Sequence, residues 1–542
     1  MLQKLQTNPI LSLSILVILM LGLHLDVLPV SIMEARNFIT AREMITDGHW
    51  LLTTMNAEAR YQKPPLPSWI SAGFALVFGL KNVVALRFPT LLFMLLTGIY
   101  SFLLSKRLRL TARESFNNAL ILITSLYVIA IAFEAPSDIF THGFMMVGIY
   151  HLFVLFKDNA YFLKRSLLAG FFIGCSILSK GPVSFYVLLL PFLLAFGAAF
   201  RYKFSKKLLL SFIVCVLVAL IIGGSWYVYV RLEDPETLMA IAEKETGNWS
   251  SYNVRPFYYY WSFFTQSGIW TIPAFVGLLY PYMKSRVSNL KAYKFSFYWT
   301  VFAVILLSVI PEKKSRYLMP VLIPLALNTG FYIEYLIGNF KTMRDKWETI
   351  PVYFNFGLIA LIGLAIPIVG YVALGENLSG QWAWFAIVSL SAVATGVAIL
   401  LHLKKKQMHQ VFYLTVFFFV TLVMFGLPIS AALKSEHYKS IAELRADMNA
   451  KHIPVYSYNL SPEMLWHYGG QIPPLKDDTG FQFPEDETLA LVATKLKEPD
   501  LKALEKTYTV EKISYYDLNL PAPDARGYNG RLRADLFLLR KK

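Results

Sequence analysis

Apolar runs of membrane-spanning length recur along most of this chain, and they leave few folds open to it. They fall at about 9–30, 84–104, 117–134, 141–157, 167–179, 183–200, 208–230, 263–283, 296–311, 317–337, 351–374, 382–402 and 411–433, about thirteen in all. A helix needs roughly 20 apolar residues to cross the hydrocarbon layer, because lipid offers backbone N–H and C=O groups no other partner. A polytopic α-helical membrane protein is the expectation. Of 542 residues 56% are hydrophobic and only 16% charged, outside the balance of soluble domains. The first run has no small-residue cleavage site behind it and reads as a retained span, not a signal peptide.

Charge sets the expected topology. The segment Leu66 to Gly79 is apolar, but about 14 residues suit a re-entrant or interfacial helix better than a span. If it does not cross, the basic loops between spans fall on the side of the N-terminus, as the positive-inside rule requires. The N-terminus is then cytoplasmic, and residues 30–82 form one long outer loop. The net charge of +16 sits in loops of the membrane part, where it reads as topology and anionic membrane lipid, not nucleic-acid binding. Residues 1–433 are expected to form the membrane domain. From 434 to 542 charge rises, and IPVYSY and LALVAT read as strands between the helical patterns SIAELRADMNA and EPDLKALEKTY. That tail is expected to be a small extracytoplasmic α/β domain. Cys175 and Cys215 lie inside apolar runs and give neither a disulfide framework nor a zinc site.

Cations on the outer side are not explained by topology, so the charged clusters expected there are the candidate site. EARNFITAREMITDGHW puts Glu34 and Arg36 just beyond the first span; an amphipathic interfacial helix is the alternative, with Ile39, Met44 and Ile45 on lipid. AEARYQKPPLPSW places Arg60, Tyr61 and Lys63 before a proline bend, where Lys63 suits a phosphate or a lipid headgroup. In FEAPSDIFTHGF, Asp138 is a candidate acid or, by spacing, the N-cap of the next span. PEKKSRYLMP packs Lys313, Lys314, Arg316 and Tyr317 into one short turn, and ILSKGPVSF adds Lys180. A phosphate or pyrophosphate at the membrane surface would satisfy these cations together. The run Tyr258 to Trp261 reads as an interfacial aromatic belt or a sugar-stacking surface.

In order along the chain, EARNFITAREMITDGHWL, RYQKPPLPSW, LSKGPV and KKSRYLMPVLIPLAL resemble the membrane glycosyltransferases of the GT-C class, particularly the lipid A aminoarabinose transferases and their relatives related to protein O-mannosyltransferases (PMT-like). Where relatives often carry Asp-Glu, this chain has Met33-Glu34, and Gln62 replaces an acid before Lys63. The resemblance implies a GT-C fold with about thirteen spans in a bacterial inner membrane. It implies transfer of a sugar, with inversion, from a polyprenyl-phosphate carrier to a lipid or cell-envelope glycan acceptor. In that reading Glu34 or Asp138 takes the acceptor's proton. Arg60, Lys63, Lys180, Lys313, Lys314, Arg316 and Tyr317 hold the departing phosphate, with Arg36 and Tyr61 against the substrate. A protein hydroxyl as acceptor keeps the same chemistry. A flippase for a lipid-linked sugar would instead place charges near the bilayer midplane, in two matching halves. No zinc-ligand spacing or outer D-x-D indicates a metal, so no cofactor is assigned and a divalent ion stays open.

Overall fold

The computed structural model describes residues 6–158, 161–477 and 479–542. The chain divides into two compact units. One comprises Met1–Val27, Tyr61–Pro67 and Arg87–Ile429; the other comprises Leu28–Arg60, Ser68–Leu86 and Ser430–Lys542.

The first unit is helical. Among the described residues of the whole chain, nine helices are long and apolar enough to cross a membrane, or ten if the bent pair Ala112–Ile123 and Leu126–Glu134 is one span. Three further expected spans form shorter or broken helices. The first is Pro9–Leu21 with a 3-10 turn at Gly22–His24. The second is an apolar helix over Phe185–Phe200. The third is Phe263–Trp270 followed by Thr271–Gly277, with Gly268 at φ 66° breaking the helical path.

Two local features position the rest. In the helix Pro136–Lys157 every residue from Pro136 to Leu155 is buried, although Asp138, His142 and His151 lie on it. Polar groups so enclosed need partners from other helices. Beside it, Phe162–Lys180 packs on Lys206–Glu233 through glycines. A Cβ on Gly174 would come 2.7 Å from Ile222 Cβ, and one on Gly223 2.7 Å from Ile177 Cβ. Small residues four apart, here Gly170 and Gly174, allow this close approach where lipid gives helices no hydrophobic reason to associate. Buried indoles are satisfied: Trp299 Nε1 donates to Leu188 O at 3.0 Å and Trp270 Nε1 to Thr124 Oγ1 at 2.9 Å.

The second unit contains a four-stranded sheet. Val455–Tyr458 runs parallel to Thr488–Ala493, which pairs antiparallel with Arg533–Lys541, and that strand pairs antiparallel with Tyr508–Asp517. From Leu489 to Ala493 the strand Thr488–Ala493 is apolar and buried, because both of its faces are covered. Ala490 and Val492 join a core with Phe38, Ile39, Met464 and Trp466, while Leu489 and Leu491 join another with Tyr508 and Leu539.

The helix Ile32–Thr46 is not the amphipathic surface helix of the alternative reading. Glu34, Ala35 and all residues from Asn37 to Met44 are buried. Its partners explain this: Phe38 lies 5.3 Å from Trp466, and Thr40 Oγ1 donates to Thr54 O at 2.8 Å on the hairpin Thr54–Met55/Glu58–Ala59. A single-chain periodicity has no access to partners more than 400 residues away.

Replacing Gly174 by leucine should force the glycine-packed helices apart and cost about 1–3 kcal/mol, the usual range for overpacking. Gly224→Ala, on the same helix pair but with nothing within 4 Å of a new Cβ, should leave thermal unfolding in detergent unchanged.

Candidate functional site

Two helix ends bring an acid and a base together inside the first unit. Phe162–Lys180 stops because Gly181, at φ 73°, leaves the helix while its N–H still bonds Ile177 O at 2.7 Å. Lys180 is thereby fixed as the last helical residue. Pro136 opens the other helix at its first position. Ala135 is its N-cap, so Asp138 does not cap the helix; it sits in the first turn with its carboxylate free for another partner. That partner is Lys180, and the two form an ion pair with side chains 3% and 8% exposed.

Further groups gather around the pair. His142, one turn on, and Lys63 are the other titratable groups close enough to act on Asp138. The Lys180 ammonium lies 5.2 Å from the Tyr317 ring. The Tyr317 hydroxyl donates to Glu312 Oε1 at 3.5 Å, and Lys314 pairs with the same carboxylate at 2.5 Å. Lys314 Nζ is also 4.9 Å from the Tyr252 ring, and the Arg316 guanidinium is 5.8 Å from Tyr317. Lys63, Asp138, Lys180, Lys314, Arg316 and Tyr317 are thus brought together.

Lys313 is not aimed with them. It is 3% exposed, its ammonium donates to Ile310 O at 2.5 Å and Arg255 O at 3.1 Å, and burial holds its pKa below the ordinary lysine value. Tyr61 donates to Asp234 Oδ2 at 2.9 Å, and burial, then that acid, push the phenol up to about 12. Asp234 in turn caps the helix Pro235–Ser251 by accepting from Thr237 N at 3.3 Å.

The remaining candidates lie in the second unit. Glu34 is fully buried and belongs to a capping box: Ser31 N donates to Glu34 Oε2 at 2.9 Å, and Glu34 N donates to Ser31 Oγ at 3.3 Å. The S-x-x-E signature at 31–34 stands in the sequence and is the signal for this role. Arg60 Nη1 donates to Thr40 Oγ1 at 2.9 Å and Nη2 to Asn37 Oδ1 at 3.3 Å. Its burial, then the charge of Arg36, lower its guanidinium to about 10. Arg36 therefore sits close enough to Arg60 to repel it.

Glu43, which the interfacial-helix reading would turn outward and which has no site role in the sequence reading, is 1% exposed and holds the tight turn that follows its helix. It accepts from Thr54 Oγ1 at 2.6 Å, Asn56 N at 2.7 Å and Ala57 N at 3.3 Å, where Asn56 and Ala57 take φ 57° and 63°. Glu43, Asp47 and His49 bring ligand-type atoms within 4.8 Å of one another. Some of these groups also serve other contacts: Asp47 Oδ2 accepts from Gln471 Nε2 at 2.9 Å, and His49 Nδ1 lies 2.9 Å from Thr54 Oγ1, whose own proton goes to Glu43. Glu312 was likewise absent from the expected site, whereas His142 lies in the same FEAPSDIFTHGF cluster as Asp138 but was given no role there. The only sequence signal for Glu312 is an acid standing directly before Lys313 and Lys314.

Residues 62–226 match the family described as dolichyl-phosphate-mannose-protein mannosyltransferase. The chain is 26% identical over 337 residues to an uncharacterised protein of Aquifex aeolicus (strain VF5), covering 61% of this chain and 63% of that one. It is 25% identical over 386 residues to an undecaprenyl phosphate-alpha-4-amino-4-deoxy-L-arabinose arabinosyl transferase of Pectobacterium atrosepticum, covering 66% of each. It thus spans slightly under two thirds of these two relatives. The fold matches the crystal structure of ArnT from Cupriavidus metallidurans bound to undecaprenyl phosphate, with TM-score 0.66, 15% identity and coverage of 98% and 97%. Motif order, aligned sequence and fold agree on the resemblance read from the sequence.

Removing one partner of the Asp138–Lys180 pair leaves a buried charge, which typically costs about 3–5 kcal/mol. Asp138→Leu and Lys180→Met should each lower thermal stability in detergent strongly. The double variant should be more stable than either single one, and simple additivity would show that the pair is not coupled.

Proposed function

From a chain similar in motifs, sequence and fold to the GT-C membrane glycosyltransferases of the aminoarabinose-transferase and PMT-like kind, we propose a glycosyltransferase that takes a sugar from a polyprenyl-phosphate carrier. The observation that carries this reading is the gathering of Lys63 and Lys180 at the buried carboxylate of Asp138, with Lys314 and Arg316 beside Tyr317, whose ring lies 5.2 Å from the Lys180 ammonium. The acceptor is a lipid or cell-envelope glycan hydroxyl. Asp138 takes its proton, and the freed oxygen forms a bond to the anomeric carbon from the face opposite the phosphate. The carbon–oxygen bond to the phosphate breaks, inverting that carbon. Negative charge grows on the departing polyprenyl phosphate, and the cations stabilise it most in the transition state, which is where stabilisation accelerates a reaction.

The reaction belongs to the outer side of a bacterial inner membrane, reached by about thirteen spans once the bent, short and broken helices are included. The N-terminus is cytoplasmic, and residues 434–542 form an extracytoplasmic domain. Glu34 serves as a helix cap in this assignment, and Arg60, bound to Thr40 and Asn37, stiffens the same helix. Lys313 orders the cationic turn and does not touch the phosphate. A protein hydroxyl as acceptor is the second reading, supported by the match of residues 62–226 to the mannosyltransferase family.

Transfer from a labelled undecaprenyl-phosphate sugar to extracted envelope lipids tests the assignment. Asp138→Asn should slow transfer by about 10²–10⁴-fold, the usual contribution of a positioned base. Glu34→Gln keeps an S-x-x-Q cap and should retain transfer within a few-fold. The reverse pattern would move the base role to Glu34.

A further inference from the structure

The segment 252–261 has little core of its own. Phe257, Tyr258 and Trp261 are 48%, 66% and 56% exposed, and among residues 252–261 only Tyr260 is buried. Polar bonds to the cationic turn hold it instead. Val254 and Glu312 form an isolated antiparallel bridge, in which Arg255 N donates to Pro311 O at 3.2 Å and Lys313 N to Asn253 O at 3.1 Å. The Tyr260 hydroxyl accepts from Lys314 N at 3.0 Å and donates to Lys314 O at 3.1 Å. The Tyr259 hydroxyl also lies 3.2 Å from Ser315 Oγ, and the Lys314 ammonium 4.9 Å from the Tyr252 ring, so every one of these links except the Lys313 ammonium's is a neutral bond or a ring contact. The Lys313 ammonium adds a charge-assisted link at its centre, bonding Arg255 O on one strand and Ile310 O on the other.

We propose that Lys313 is a positioning residue, whose ammonium fastens the segment 252–261 to the turn 310–317 and so holds Glu312, Lys314 and Tyr317 in the arrangement that receives the donor's phosphate. The fastening stands on the geometry alone; the identity of the ligand rests on the glycosyltransferase reading. Glu312 explains why fastening matters. Its carboxylate takes both Lys314 and the Tyr317 hydroxyl, so a shift of the turn moves the two groups together. Methionine at 313 would keep the apolar stem and lose both carbonyl bonds. Arginine would keep a donor for them.

The test uses the purified full-length chain in lipid nanodiscs, with undecaprenyl phosphate as the binding probe and amide hydrogen exchange as the structural readout. In Lys313→Met, exchange at Arg255, Lys313 and Lys314 should rise about tenfold or more while the helix Pro136–Lys157 stays protected. Undecaprenyl phosphate should bind about tenfold more weakly, and Lys313→Arg should recover most of both. Weaker binding with unchanged exchange would mean that Lys313 meets the phosphate directly, and loosened exchange with unchanged binding would uncouple the fastening from the donor; either result overturns the proposal. A wild type that binds no undecaprenyl phosphate would overturn the glycosyltransferase reading, and the exchange measurement would still decide whether Lys313 is the fastening. If Lys313→Met fails to fold, Tyr260→Phe removes only the hydroxyl on Lys314 and should move both readouts the same way by a smaller factor.

Discussion

A carboxylate on a helix that is buried from its first turn to Leu155 must be neutralised from another helix, and Lys180 does this for Asp138. Two separate chain breaks make the meeting work. Pro136 starts one helix, and Gly181 ends the other at the residue that carries the ammonium. Either helix shifted by one residue would turn its charge by about 100° and leave both ions buried apart. The glycine-packed contact between Phe162–Lys180 and Lys206–Glu233 keeps the lysine helix from sliding, so an apolar feature deep in the bundle protects an ionic one at its end.

The membrane character and the course of most helices were legible because lipid imposes one rule on every span, and hydropathy expresses it residue by residue. The strands Val455–Tyr458 and Thr488–Ala493 were legible for a similar reason, since the second is apolar on both faces. The strands Tyr508–Asp517 and Arg533–Lys541 were not anticipated. YTVEKISYYD and RADLFLLRK mix charges with apolar residues, and only pairing in register, Val510 with Leu539 for example, shows which side is covered. Broken spans blur the count for a related reason: Gly268 stops a helix through its dihedral angle, which hydropathy does not register.

At the site, residue type was legible and direction was not. KKSRY announces cations, yet Lys313 points at backbone carbonyls while Lys314 pairs with Glu312. Neighbours in sequence project to different sides of a turn, so a cluster of like charges always overstates the number that can face one ligand. Glu34 carries the converse lesson. An acid at the mouth of an apolar run invites a chemical role, and Ser31 three residues earlier gives it a local structural one as well.

The partners Ser31 and Lys180 of the two acids differ in range. The bonds of Glu34 to Ser31 are local and would form in any helix beginning with this signature. Asp138 is bound by a residue 42 positions away, with His142, Lys63 and Tyr317 around it. A local contact stabilises a helix end; a long-range ionic contact also fixes where several helices place their charges. In the proposed transfer, an acid that meets an acceptor while cations meet a leaving phosphate would need the second kind of placement, because that reaction depends on distances between groups from distant parts of the chain. Lys180 places Asp138 in this way, Glu312 and Tyr317 place the cationic turn, and the Lys180 ammonium 5.2 Å from the Tyr317 ring joins the two.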